Sequence, residues 1–323
     1  MRIVVTGTLA YDYIMDFPGY FMDHVIPERE HKLSVSFLVD SMRKMRGGVA
    51  GNIAYNLALL GDRPLIAGSI GHDFGEYHAW LTGHGIDTSG LLEIDHEFTS
   101  SCFINTDMAH NQIVAFYNGA TSYANRISLI GLGVGSNDLV IISPTDPTAM
   151  SHYVTECRQH GIPYIFDPGK QTPRLEAEHI RLGLAGARVL VGNDYEFAMM
   201  ARKLDITEAE LIAGAPITVI TRGEKGSRIY TSDMNGQGLD IPVVPATEVC
   251  DPTGAGDAYL AGLAFGISHD LPLEVAGRIA ALTAVYAIEH QGCQEHSYTL
   301  PEFTARYTAA FGEHPALMEM LVV

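Results

Sequence analysis

The chain has 323 residues, 47% of them hydrophobic, with 20 basic against 38 acidic side chains and a formal net charge of −18. That length and apolar content support one large domain, or a large domain with a small companion. The acid excess excludes a nucleic-acid or anionic-membrane surface, which needs clustered Lys and Arg. A phosphate ligand stays compatible with it, because a buried site can hold an anion with backbone amides.

The four cysteines, Cys102, Cys157, Cys250 and Cys293, form no CxxC pair and read as free thiols of a reducing compartment. The opening Met1-Arg2-Ile3-Val4-Val5-Thr6-Gly7 has too short an apolar run for a signal peptide. No stretch approaches the ~18 apolar residues of a membrane span. The expectation is a soluble, cytoplasmic protein.

The first predicted element is a strand over 3–5. From Asp12 to about Met45 the chain turns aromatic and mixed-polar, with Phe17, Phe21 and Phe37 and no helical period. Within it, 33–39 alternates enough to predict a strand. A helix over 50–60 follows, ended by Gly61. A strand pair is expected across 99–115; with 33–39 it would make a small sheet apart from the main body. The remainder alternates, with strands at 139–143, 164–167, 189–192, 218–221 and 228–231. Helices fit 149–160, 194–204, 258–267 and 272–289. This is the α/β pattern of a largely parallel sheet covered on both faces. Ligands gather at the carboxyl ends of such strands, where Asn193 and Thr221 stand.

The segment Asp251-Pro252-Thr253-Gly254-Ala255-Gly256-Asp257 precedes an apolar helical run from Ala258 to Phe265. A helix starting here leaves amides unpaired, glycines let an anion approach them, and the dipole favours negative charge. Asp257 is then a carboxylate beside an anion site, which suits phosphoryl transfer. A plain glycine cap is the bland alternative, but caps rarely need Gly-Ala-Gly in a row.

Gly47-Gly48-Val49-Ala50-Gly51-Asn52 repeats the motif at the 50–60 helix, with Asn52 and Asn56 on one face. It reads either as an amide positioned to bridge hydroxyls or as a glycine-rich turn with a polar face. Asp12 is a binder of two adjacent hydroxyls, or a turn residue. Asn193-Asp194-Tyr195-Glu196 reads as a helix cap or as a phosphate and water-mediated Mg²⁺ contact. Thr221-Arg222-Gly223-Glu224-Lys225-Gly226 reads as strand–turn–strand or as a nucleotide phosphate loop with Lys225 nearby. GxxxxGK[ST], a proper GxGxxG, HExxH and GxSxG are all absent; Gly131-Leu132-Gly133-Val134-Gly135 has the wrong spacing. His290, Cys293 and His296 can be drawn together as a zinc set, or left as ordinary helix-end residues.

Taken together, these residues resemble the ribokinase-like (PfkB) carbohydrate kinase family over essentially the whole chain, with four motifs in order. Within it the chain looks most like bacterial adenosine kinases. That likeness is carried by Val5-Thr6-Gly7-Thr8 with Asp12, Phe17-Pro18-Gly19, the run from Leu33 to Asp40, Arg46 to Asn52, and Ala115-Phe116-Tyr117-Asn118-Gly119-Ala120. The resemblance implies a three-layer α/β/α domain over 1–11, 46–97 and 121–323, with a small β-sheet lid from 12–45 and 98–120. It implies Asp257 as catalytic base, with the amides of Gly254, Ala255 and Gly256 as anion hole. Asp12, Gly48 and Asn52 would hold the ribose hydroxyls, and Ser36 and Phe116 would border the nucleoside. Thr8 and Gln171 are further substrate residues. Asn193 and Glu196 would organise phosphates and Mg²⁺, Glu196 through water. Thr221, Gly223, Lys225 and Gly226 would bind ATP, and Asp251 and Thr253 match positions near a K⁺ site.

The implied reaction is ATP-dependent phosphorylation of the 5′-hydroxyl of adenosine to AMP, a purine-salvage step. A broader nucleoside kinase or a sugar kinase is the runner-up, and a non-catalytic nucleoside sensor the remote alternative. A homodimer through the lid is the expected assembly. Three departures stand out. Cys102 occupies the place of a second aromatic, with Phe103 next to it; Thr8 replaces a serine; and Lys170 stands where a neutral residue is expected.

Overall fold

Strand β1 (Arg2–Thr6) sends successive buried side chains to opposite sides, Ile3 and Val5 into one apolar core and Val4 into another. The computed structural model describes residues 1–24, 35–232, 236–315 and 317. After β1 come β2 (Ala10–Asp16), β3 (Ser41–Gly47), α1 (Val49–Leu59), β4 (Leu65–Gly71), α2 (Gly75–Gly83) and β5 (Asp87–Ile94). Next are β6 (Ser100–Thr106), β7 (Gln112–Tyr117), β8 (Asp138–Ile142), α3 (Pro147–His160), β9 (Tyr164–Phe166), α4 (Ala177–Leu184), β10 (Val189–Asn193) and α5 (Asp194–Leu204). The chain continues through α6 (Glu208–Ile212), β11 (Ile217–Thr221), β12 (Ser227–Thr231), β13 (Leu239–Ile241), α7 (Ala255–Ser268), α8 (Leu273–Ile288) and α9 (Leu300–Phe311).

Among the described residues a nine-stranded sheet runs β13-β12-β11-β10-β9-β8-β1-β4-β5. It is parallel from β11 to β5, and β12 and β13 add an antiparallel edge. Residues of α1, α2, α7, α8 and α9 share the core of Ile3 and Val5, while those of α3, α4 and α5 share that of Val4. The result is the three-layer, ribokinase-like α/β/α arrangement. Ile53 and Leu57 of α1 are fully buried, each contributing about 2 kcal/mol of hydrophobic stabilisation. No helix among the described residues is long and apolar enough to cross a membrane.

A separate four-stranded sheet runs β3-β2-β6-β7. The predicted strand at 33–39 is not one of its members. Residues 33 and 34 lie outside the described residues, and 35–39 carry no strand. Phe37 instead packs its ring on Phe17 at 4.9 Å and on Phe21 at 4.8 Å, so an aromatic cluster satisfies the apolar alternation. The strand that does join β2 is Ser41–Gly47, whose Arg and Lys suit an edge position. Ser36, expected on a lid strand, is exposed in the irregular stretch before β3.

Candidate active site

Helix α7 begins at Ala255 with Gly254 as its N-cap, at φ 81°, ψ −3°, and no side chain closes its end. A Cβ on Gly254 would stand 2.9 Å from Cys293 Sγ, so conformation and space both demand glycine. The Ala255 amide reaches the Pro252 carbonyl at 3.3 Å; those of Gly256 and Asp257 find no acceptor among the described residues. Free donors thus stand at the positive end of a 14-residue helix. They border a cavity of about 350 Å³ that Asp167, Lys170, Asn193, Glu196, Thr221 and Asp257 also line. That arrangement receives an anion.

Asp257 Oδ2 accepts a hydrogen bond from Asn52 Nδ2 at 2.7 Å. Asn52 Oδ1 in turn accepts from Gln294 Nε2 at 2.9 Å, which fixes the Asn52 NH₂ toward Asp257. Gln294 also donates to the Tyr77 hydroxyl, and that hydroxyl donates to the Gly47 carbonyl at 2.9 Å. One turn along α1, Asn56 donates to the Asn52 carbonyl at 2.9 Å and meets His296 Nε2 at 2.9 Å. Asn52, Asn56, Gln294 and His296 are all buried, so the carboxylate is held by a network rather than a single contact.

Burial raises Asp257 to about 6; the Asn52 bond and Lys170 oppose the rise, and Asp12 and Glu196 add to it. Burial, with the charges of Glu196 and Asp257, lifts Asp167 well above the ordinary carboxylate range. Glu196 and Asp12 are also raised by burial. A base of this kind is active when ionised. Turnover is therefore expected to fall about tenfold per pH unit below pH ~6 and to level off above it. A pH–rate profile of kcat checks this, and a profile flat down to pH 5 would contradict it.

The small sheet supplies the facing wall. Register pairs Asp12 with both Met45 and Cys102, and Cys102 with Phe116. Cross-strand partners share a face, so these four side chains form one row. Asp12 Oδ2 lies against the backbone just before α1: a Cβ on Gly47 would stand 2.4 Å from it. Phe116 is 54% exposed. Gly48, at φ 84°, links β3 to α1; a Cβ there would stand 2.5 Å from Thr8 O and from Ala10 N. Thr8 donates its hydroxyl to the Pro144 carbonyl at 2.9 Å.

The remaining predicted positions fall in three places. Asn193 and Glu196 form a reciprocal capping box at the start of α5 while lining the cavity. Glu196 Oε2 accepts the Asn193 amide at 2.8 Å. Thr221, Gly223 and Gly226 line a second, largely apolar cavity of about 460 Å³, with Val243, Val249, Ala281 and Val285. It shares Thr221, Pro252 and Gly256 with the first. Lys225 is exposed on the 223–225 turn and lines neither cavity. Asp251 ties the Thr253 amide at 2.9 Å to the Gly292 amide at 3.2 Å. Gln171 is half-buried, its Oε1 buried without a partner.

The zinc set does not assemble. His296 bonds Asn56, His290 Nδ1 meets the Tyr286 carbonyl, and Cys293 packs beneath Gly254. Among the described residues no three His, Cys, Asp or Glu side chains stand close enough to hold a metal ion.

A profile of pfkB family carbohydrate kinases matches residues 9–300. The chain belongs to the PfkB family. The nucleoside kinase of Methanothermobacter thermautotrophicus is 30% identical over 318 residues, covering 98% of each chain. The structure of Burkholderia thailandensis nucleoside kinase in complex with inosine is 35% identical to it, with a TM-score of 0.85 over 97% of this chain and 99% of that one. The ADP-inosine complex of the same kinase aligns with a TM-score of 0.83 over 97% of both chains.

In this PfkB chain, sequence reasoning missed Asp167, Gln294, Tyr77 and the apolar wall around Val243 and Val285. Asp167 directly follows β9, beside Pro168, a position that could have flagged it. Gln294 and Tyr77 lie 217 residues apart and carry no local signal.

Proposed function

We propose that the protein is an ATP-dependent nucleoside kinase, phosphorylating the 5′-hydroxyl of adenosine to AMP and accepting other nucleosides beside it. The observation that carries this reading is the Asn52–Asp257 contact at the open amide end of α7. Asp257 takes the proton of the acceptor hydroxyl, and the amides of Gly254 and Gly256, with that of Ala255 once it leaves the Pro252 carbonyl, hold the transferred phosphoryl. Asp12, Gly48 and Asn52 bind the ribose. The nucleoside base lies on Phe116, with Ser36, Thr8 and Gln171 at the edge of its site. One aromatic face, with Cys102 in the neighbouring place, supports tolerance toward the base.

The ATP adenine occupies the apolar cavity, and Thr221, Gly223, Gly226 and Asn193 lead its phosphates toward α7, with Lys225 exposed on the turn beside them. Glu196, with the nucleotide phosphates and water, suits Mg²⁺, which would neutralise phosphate charge. The absence of a three-ligand protein cluster among the described residues fits a metal that arrives with the nucleotide. Asp251 and Thr253 brace the loop before α7, so potassium bound there would act on loop geometry. Residues 12–45 and 98–120 serve as a lid, excluding water. Its outer face exposes Met42, Phe103, Ile113 and Tyr117, which supports pairing with a second copy.

The test offers adenosine, inosine, guanosine, cytidine, ribose and fructose separately, with Mg-ATP and K⁺, following ADP and weighing the product. AMP from adenosine with inert sugars is expected. Turnover of a sugar alone would overturn the nucleoside reading, and no ADP from any acceptor would overturn the kinase reading.

A further inference from the structure

Lys170 stands just beyond the C-terminal end of β9. β9 ends at Phe166 and the 169–171 turn follows at once. Gly169 has φ 43°, and a Cβ there would stand 2.7 Å from Pro144 Cγ, so the turn is pressed onto the segment after β8. Two backbone bonds close it, Gln171 N to Pro168 O at 2.9 Å and Thr172 N to Gly169 O at 3.0 Å. A long cationic side chain therefore leaves a fixed backbone at the cavity wall.

Among the described residues it is the only cation lining that cavity, where Asp167, Glu196 and Asp257 supply three carboxylates. It is exposed and makes no hydrogen bond or ion pair of its own. Its field nonetheless reaches Asp12, Glu196 and Asp257. An ammonium in a cavity lined by three carboxylates, yet bonded to none of them, keeps its donors for an anionic ligand. A phosphoryl group is such a ligand: the carboxylates oppose its charge, so its outer oxygens need a cationic donor opposite the α7 amides.

We propose that Lys170 is a catalytic cation that binds the non-bridging oxygens of the phosphoryl group in transit. This rests on the kinase reading above. In the step, the acceptor oxygen forms its bond to the γ-phosphorus and the bond to the β,γ-bridging oxygen breaks. That electron pair leaves with ADP, and the acceptor proton passes to Asp257. Lys170 keeps its proton throughout and contributes charge alone.

The experiment compares Lys170→Met and Lys170→Arg with the unmodified enzyme. Lys170 is exposed, so both variants should fold, which circular dichroism checks. Lys170→Met should lower kcat about 100-fold with the KM for nucleoside within ~threefold, and Lys170→Arg should recover most of the loss. Calorimetry supplies a readout independent of turnover. Lys170→Met should weaken a non-hydrolysable ATP analogue about tenfold more than it weakens ADP, because only the third phosphate reaches the lysine. Equal losses for both nucleotides, or an unchanged kcat, would overturn the proposal. If the unmodified enzyme phosphorylates no nucleoside, the kinase reading fails, while the ATP–ADP comparison still decides Lys170.

Discussion

Asp257→Asn is expected to remove turnover almost completely, by a factor of roughly 10²–10⁴, while nucleoside affinity stays within a few-fold. The amide keeps the size of the carboxylate and can still accept from Asn52, so the cavity should hold its shape. The same variant should be the more stable protein. Asp257 titrates at about 6 in the fold against an ordinary 3.8, so the folded state takes up its proton more readily than the unfolded chain. Its contribution to stability therefore falls as pH rises from about 4 through 6, by roughly 3 kcal/mol at most. Asparagine carries no such penalty. Its melting point should exceed that of the parent by a few degrees at pH 8, and the gap should close toward pH 4. Activity assays with calorimetric binding read the first effect, and thermal scans across pH read the second. Loss of nucleoside binding together with turnover, in a folded protein, would undo the assignment of Asp257 as base.

Gly254→Ala should be the next most damaging change. The new methyl would face Cys293 Sγ at 2.9 Å, and the φ of 81° costs a side-chain-bearing residue about 1–2 kcal/mol. The first turn of α7 must shift to relieve both, and the free amides shift with it. A fall of about 10²–10³-fold in kcat is expected, with the nucleoside KM little changed, because Asp12 and Phe116 belong to another wall. Gly256→Ala is the control for stability: a methyl there meets nothing within 4 Å, so its melting point should not fall. A Gly254→Ala enzyme with unchanged kcat would remove the anion hole from the mechanism.

The legible parts of this molecule are those that local chemistry specifies. Glycines before an apolar helix announced both helices, expected from Ala50 and Ala258 and observed from Val49 and Ala255, and the cap Asn193 placed α5 at 194–204 as observed. β8, β10 and β11 were readable as short apolar runs. The stretch from Leu65 to Gly71 was not: all seven residues are buried, but Gly68, Ser69 and Gly71 interrupt any apolar or alternating pattern. At 35–39 alternation misled, because rings packed on rings instead of strand on strand. Gln294 was invisible because its meaning depends on Asn52, 242 residues away. Asp167 acquires its raised proton affinity from burial, and then from Glu196 and Asp257, which only the folded chain brings beside it.

Gly48 alone separates β3 from α1. The small sheet and the helix that steers Asp257 are thus two arms of one lever with a single-residue pivot. A second tie joins them through side chains: the Gly47 carbonyl, last in β3, accepts from Tyr77, which accepts from Gln294, which also bonds the Asn52 amide oxygen and so orients the NH₂ held to Asp257. On the kinase reading proposed above, a change at Gly48 would disturb together the wall that meets the acceptor and the amide that holds the base.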